Sequence, residues 1–327
     1  MPFESRAFAL AKDTEQPQQY EDSYALDPRR GIVVVADGVS SAIFSRAWAA
    51  ILTEAVVADP PDVLNPEAFA AWMQQRRQTW SGQIDVAGLA WFQKAKMASG
   101  AFSTLLWVQL SVPEHEVEGA FGAIRLQCFA IGDSCLFHVR DGQLVRSFPI
   151  QHSSELQADP LVLGSLDLNH DHLMQFVSLD EYCYADDLLV LCTDAVADWV
   201  LRTYESEAAI DWDHYWQLSP EQWASEIIQL RDRQAMRYDD ATMVILQVGK
   251  EAAKGKKRPN RMTISGPKRK SNPPSPKKAS ELFPKPSIFP KRPKQEQCRP
   301  PIASPPIRPI RFPAEPPNRR TAPPTKC

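Results

Sequence analysis

Ile32-Val33-Val34-Val35-Ala36 is a continuous, β-branched apolar run, the pattern of a strand covered on both faces. Residues 23–26 precede it across Asp27-Pro28-Arg29-Arg30-Gly31, and that separator is turn chemistry, so the two runs predict a hairpin. Ser40 or Ser41 is placed to cap a helix reaching to about residue 58, where Pro60-Pro61 stops it. Residues 66–97 read as helical from Pro66 onward, with a break near Ser81-Gly82. Short apolar or alternating runs at 103–110, 124–131, 135–140 and 143–148 predict strands, the last two joined by the two-residue turn Asp141-Gly142. Residues 149–170 are irregular. Strands follow at 173–179 and 188–192, helices at 194–204 and 220–234, and a closing strand at 240–248. Two groups of strands with long helical regions between them fit an α+β fold in which sheets pack together with helices outside. The βαβ alternation of a doubly wound fold is missing.

Charge splits this pattern in two. Residues 1–249 hold 16 Lys+Arg against 36 Asp+Glu, a net of −20, whereas residues 250–327 hold 21 against 4, a net of +17. The tail also takes 19 of the 29 prolines and has no Trp or Tyr, so it lacks the apolar surface to offset the entropy of ordering. The expectation is one folded domain over residues 1–249 and a basic, proline-rich, disordered tail over 250–327. Cys128 and Cys192 sit in apolar runs as small core residues, and the six cysteines show no CxxC spacing. A disulfide framework is therefore not expected, which implies a reducing compartment. MPFESRAFALAKDTE carries no signal-peptide core, and no apolar run approaches the length of a membrane span. A soluble, cytoplasmic chain is expected.

The candidate chemistry lies in acids at strand ends. Glu21-Asp22 precede the first hairpin strand and Asp37-Gly38 follow the buried one. Asp133 stands in Gly132-Asp133-Ser134, Asp194 follows residues 188–193, and Asp239-Asp240 precede the closing strand. Any one of these alone is ordinary turn or cap chemistry. Together they are a set of hard oxygen donors, which suits Mg²⁺ or Mn²⁺ and not zinc, for which no Cys/His set has the spacing. Clustered carboxylates repel, and two divalent ions roughly 3.5–4 Å apart would relieve that repulsion.

The ordered series Tyr20-Glu21-Asp22, Val34-Val35-Ala36-Asp37-Gly38, Ala130-Ile131-Gly132-Asp133-Ser134, Leu189-Val190-Leu191-Cys192-Thr193-Asp194 and Asp239-Asp240-Ala241-Thr242-Met243-Val244 resembles the PP2C (PPM) family of metal-dependent serine/threonine protein phosphatases, across nearly all of residues 1–249. Asp37-Gly38-Val39-Ser40-Ser41 resembles bacterial members. The resemblance implies an α-β-β-α sandwich of two antiparallel sheets flanked by helices. It also implies hydrolysis of phosphoserine and phosphothreonine on proteins by a water bridging two Mn²⁺ or Mg²⁺ ions, with no phosphoenzyme. In that reading Asp37 bridges both metals and Asp194 and Asp239 complete one site, these three forming the catalytic centre. Glu21 and the Gly38 carbonyl complete the other site, with Asp22 behind them. Asp133, with Asp194, matches a weaker third metal position, and Asp240 supports Asp239. The implied partners are a phosphoprotein substrate and a Ser/Thr kinase pathway, and the expected state is a monomer.

The chain departs from the family at defined places. The Arg that often lies four residues before the Glu, holding the substrate phosphate, is Pro17 here, and the His that often follows Asp-Gly is Val39. The phosphate-binding residue is thus not identified, with Lys12, Arg6 and Arg46 as candidates. These departures motivate an alternative, a weak or inactive PP2C-like module that recognises phosphoproteins or a kinase and uses the tail as a tether. Gly after Asp194 is replaced by Ala195. His152 reads as structural, and His170 and His172 as exposed. Trp72, Trp80 and Trp91 read as packing residues of the long helical stretch. Ser103 and Ser134 lack a neighbouring base. The tail's PxxP patterns and basic clusters fit a proline-recognising domain, an anionic surface or an inert linker.

Overall fold

The computed structural model describes residues 3–113, 122–157, 159–167 and 175–249, all within the first of two units, Met1–Met262. The expected tail, and His170 and His172 with it, lie outside the described residues. In chain order the elements are β1 (Phe3–Leu10), β2 (Ser23–Asp27), β3 (Ile32–Ala36), α1 (Ser45–Ala58), α2 (Pro66–Gly82), α3 (Trp91–Met97), β4 (Phe102–Ser103), β5 (Leu105–Ser111) and β6 (Ile124–Ile131). They continue with β7 (Cys135–Arg140), β8 (Gln143–Phe148), β9 (Leu163–Gly164), β10 (Val177–Cys183), β11 (Leu188–Cys192), α4 (Asp194–Glu205), α5 (Trp212–Gln217), α6 (Pro220–Asp232) and β12 (Ala241–Val248).

Two five-stranded antiparallel sheets form, in the orders β1-β12-β11-β7-β8 and β10-β6-β5-β3-β2, with β4 and β9 as a small separate pair. The period-two geometry of a strand divides their side chains among three cores. Val33, Val35, Leu106, Leu136, Leu189, Leu191 and Val244 pack between the sheets. Ile32, Val34 and Ala36 face the other way, onto Trp48, Leu52, Phe69 and Trp80 of α1 and α2. Val190, Cys192, Met243 and Ile245 do the same beneath Trp199, Trp212 and Trp223 of α4, α5 and α6. This is the expected α-β-β-α sandwich. β3 and β11 are apolar at every position because each serves two cores at once.

Local chemistry sets the helix starts. Asn65 caps α2, its side chain accepting from the amides of Glu67 and Ala68 at 3.2 Å each, with Pro66 in the first turn. Ser219 caps α6 in a reciprocal box with Gln222.

Several expectations are corrected. α1 begins at Ser45, not at a Ser40 or Ser41 cap; its N-cap is Phe44, with φ 56° and no side-chain cap. The strand expected at 173–179 is β10, Val177–Cys183, whose Asp180 and Glu181 hid it in an edge strand with one polar face. β1, α5 and the β4–β9 pair were not anticipated. Trp72 and Trp80 are buried as expected, but Trp91 is 82% exposed and does not pack. Cys128 and Cys192 are buried and unpaired. Among the described residues no helix is long and apolar enough to cross a membrane.

Leu106, fully buried between the sheets, provides a test of this arrangement. Leu106→Ala is expected to lower unfolding free energy by about 2–5 kcal/mol. Val145→Ala, at an exposed position on β8, should stay within about 0.5 kcal/mol. Urea denaturation of both variants measures the difference.

Candidate active site

Antiparallel pairing decides which strand ends are neighbours. The register Ser23↔Ala36 puts the start of β2 beside the end of β3, so Glu21-Asp22 and Asp37-Gly38 meet. Leu10↔Ala241 and Cys192↔Met243 bring the end of β1, the start of β12 and the end of β11 together, gathering Lys12, Asp239-Asp240 and Asp194. Cys192↔Cys135 adds the start of β7, and with it Asp133 from the preceding turn. All the acids singled out in the sequence therefore lie at one end of the sandwich.

Hydrogen bonds join the two sheets there. Asp22 is buried, and its Oδ2 accepts from the Thr193 hydroxyl at 2.8 Å and the Thr242 hydroxyl at 2.7 Å, tying the start of β2 to β11 and β12. Its Oδ1 is buried without a partner. Asp240 accepts from the backbone amides of Lys12 at 2.7 Å and Glu21 at 2.6 Å, so one carboxylate fixes two further chain segments. Tyr20 bonds Thr242 through its hydroxyl. Asp37 is held through its backbone, its amide donating to Thr104 Oγ1 at 3.0 Å and its carbonyl accepting from the Thr104 amide at 2.9 Å. Thr104 Oγ1 in turn meets Ser134 Oγ at 2.8 Å, beside Asp133. Arg231 donates to the carbonyls of Ala11 at 3.1 Å and Asp239 at 2.5 Å.

Gly38 has a steric reason to be glycine. A Cβ there would stand 2.7 Å from the Glu21 carbonyl oxygen and 3.0 Å from the Ser45 carbonyl carbon. Both obstacles are backbone and cannot rotate away, so the absence of a side chain is what lets the two segments touch.

The electrostatics follow from this crowding. Burial, then the charges of Asp22, Asp194, Asp133 and Asp239, push the Asp37 carboxyl well above the usual carboxylate range. Burial raises Asp22 to about 8, with Asp240 and Asp194 adding to it against the hydrogen bonds from Thr242 and Thr193. Burial and then Asp194 raise Asp133 to about 7. Asp194 is raised by burial, opposed first by the Arg237 charge and then pushed up further by Asp239.

Two cations reach into the cluster. Lys12 Nζ lies 3.4 Å from Glu21 Oε2, 3.8 Å from Asp239 Oδ1 and 2.5 Å from Ser40 Oγ. Arg237 donates to Asp194 Oδ2 and lies 3.9 Å from Asp198 Oδ2. Sequence reasoning missed Arg237, Thr193, Thr242 and Thr104. Arg237 stands two residues before Asp239 with nothing in its local pattern to mark it.

A cleft of about 700 Å³ opens beside Glu21, lined by Lys12, Gln18, Gln19, Ser40, Phe44 and Arg46 among others. Of the three candidate cations, Lys12 and Arg46 face it, whereas Arg6 lies over the Trp216 ring, 5.7 Å from its centroid. Ser103 and Ser134 are buried in hydrogen bonds, and His152 is exposed beside Glu205.

The donors fit hard divalent ions in kind. They are carboxylates crowded together against their own repulsion, an orphaned Asp22 oxygen, and a backbone carbonyl at a residue that cannot carry a side chain. As the side chains stand, no group of three or more His, Cys, Asp or Glu among the described residues is arranged to hold one ion.

A protein-family model described as Protein phosphatase 2C matches residues 14–229. No curated protein matches. Similar solved structures include PppA of Pseudomonas aeruginosa, described as a key regulatory component of T6SS (16% identity, 76% of this chain and 98% of that one, TM-score 0.48). Others are the catalytic domain of the serine/threonine protein phosphatase PstP with two manganese ions (17%, 76% and 98%, 0.47) and the PPM Ser-Thr phosphatase MsPP of Mycobacterium smegmatis with cacodylate (16%, 75% and 98%, 0.44).

Two outcomes are expected from this geometry. Gly38→Ala should destabilise the protein by about 1–3 kcal/mol, because backbone must move to admit the methyl group; chemical denaturation measures it. Asp22 and Asp133 hold their protons in the folded state at pH values where the unfolded chain, with carboxyl pKa near ~3.9, has lost them. Their contribution to stability is present below about pH 4 and is lost as pH rises through 7 to 8. Thermal unfolding in EDTA should therefore show a falling midpoint from pH 5 to 8, and Asp22→Asn should flatten that slope.

Proposed function

Because the chain belongs to the protein phosphatase 2C family, we propose that it hydrolyses phosphoserine and phosphothreonine on proteins in a reaction that depends on Mn²⁺ or Mg²⁺. The observation that carries this reading is the convergence at one end of the sandwich, with half-buried Asp37 set among the charges of Asp22, Asp194, Asp133 and Asp239. So many acids in one place are costly for folding alone and are useful where cations must be held.

Asp37 would serve both ions, Asp194 and Asp239 would help hold one, Glu21 and the Gly38 carbonyl would help hold the other, and Asp133 would take a weaker third. When bound, the ions would supply an activated water and neutralise charge on the transferring phosphoryl group. The chain's own residues supply the rest. Asp22 and Asp240 brace the ligand-bearing segments from behind, through Thr193, Thr242 and the amides of Lys12 and Glu21. Arg46 and Lys12, lining the cleft, are the cations available to a substrate phosphate where the family has an Arg and this chain has Pro17. Val39 offers no proton, so the leaving group's proton would come from water or from another group at the site.

A second reading is a weak or inactive module that binds phosphoproteins or a kinase without turnover. Its support is the pairing of Asp194 with Arg237 and the lack of a ready three-ligand group among the described residues. The two readings separate in one assay. The full chain with Mn²⁺ should release phosphate from a phosphothreonine peptide or p-nitrophenyl phosphate, and Asp37→Asn should lower kcat/KM by more than about 100-fold, beyond the usual effect of losing a group that merely orients a ligand. Undiminished activity in EDTA, or in Asp37→Asn, would exclude the mechanism; phosphopeptide binding by calorimetry without phosphate release would favour the second reading.

A further inference from the structure

Lys12 and Arg237 both reach the carboxylate cluster and pair with different members of it. Lys12 is anchored at both ends: its amide donates to Asp240, and its ammonium lies between Glu21 and Asp239 with Ser40 as a further partner. Its side chain is 24% exposed, so the ammonium is neither fully solvated nor sealed in. Burial acts to lower its pKa, yet the charges of Asp239, Glu21 and Asp240 outweigh burial and hold it above the ordinary lysine value. Arg237 takes Asp194, and its Nε is buried with no hydrogen-bond partner. Asp198 offers Arg237 an alternative carboxylate 3.9 Å from that Nε, itself already paired with Arg202. Each cation thus has somewhere to go: Lys12 toward Ser40 and the open cleft, Arg237 toward Asp198.

We propose that Lys12 and Arg237 are internal counter-ions that compete with divalent cations for Glu21, Asp239 and Asp194, holding the carboxylates together until metal displaces them. The proposal rests on the metal-binding reading given above and adds a device that sets how tightly the ions are held. Glu21 and Asp239, assigned to different ions, are both neighbours of a single ammonium, so one displacement would free a ligand for each. The competition is electrostatic, so its size should be that of a cation's effect on a carboxylate at this range, roughly one to two orders of magnitude in affinity.

Calorimetric titration of Mn²⁺ into the full chain after EDTA treatment and dialysis tests this. Lys12→Met, which keeps the length and removes the charge, should bind Mn²⁺ about tenfold or more tightly than wild type. The same variant should unfold at a lower temperature in EDTA, since an attractive partner of two carboxylates is gone. These opposite signs distinguish competition from a structural role, whose loss would weaken both quantities. Lys12→Arg should restore the wild-type pattern. Arg237→Gln gives an independent reading on the Asp194 side, with the same two signs expected. Unchanged or weaker Mn²⁺ binding in a variant overturns the proposal for that residue. A wild-type chain that takes up no Mn²⁺ would sink the metal-binding reading itself, and this inference with it, whereas wild-type binding that neither variant tightens sinks the inference alone.

Discussion

Repulsion among buried carboxylates is the constraint around which this domain is organised. Asp37 and Asp22 are acids in a low-dielectric setting, each within reach of further acids, and their protons are held far more tightly than in water. A fold can tolerate such a group only if surrounding contacts outweigh its cost. Here the compensation is specific. Hydroxyls of Thr193 and Thr242 point at Asp22, two backbone amides point at Asp240, and Lys12 and Arg237 bring positive charge to the flanks.

These contacts also hold the two sheets in alignment. Asp22 belongs to the segment entering β2, while Thr193 and Thr242 belong to the other sheet. The apolar layer between the sheets is non-directional and would permit some sliding. The polar clasp at one end is directional and fixes a single registry there. Beneath it, β3 and β11 are covered on both faces, which gives the acids that follow them rigid mounts. The left-handed Phe44 at the start of α1 sits on the rim of the cleft, where a bulky residue in that conformation costs of order 1–3 kcal/mol and is kept only by the packing around it.

Elements with a strong period were legible in the chain: β3, β6, β7, β8 and β11 were each read from runs of apolar or alternating residues. β10 was misplaced because Asp180 and Glu181 lie on an exposed edge, where alternation is blurred by charge. β1 was overlooked because Phe3-Glu4-Ser5-Arg6-Ala7-Phe8 mixes small, charged and aromatic residues, and only pairing with β12 makes it a strand. The start of α1 was misread because serines are good caps in general, and here Ser40 is instead a partner of Lys12.

The chain by itself determined which acids follow or precede buried strands, because strand period and turn chemistry are local, and it determined the charge division at residue 249 because composition needs no coordinates. Only the tertiary structure decided which of those acids meet, that Gly38 is bare because the Glu21 carbonyl lies against it, and that Lys12 and Arg237 stand within the cluster while Arg6 does not. The physical reason is range. Lys12 and Asp240 are 228 residues apart in the chain, and no local preference encodes a contact of that separation. It arises only when antiparallel registers place the end of β1 beside the start of β12.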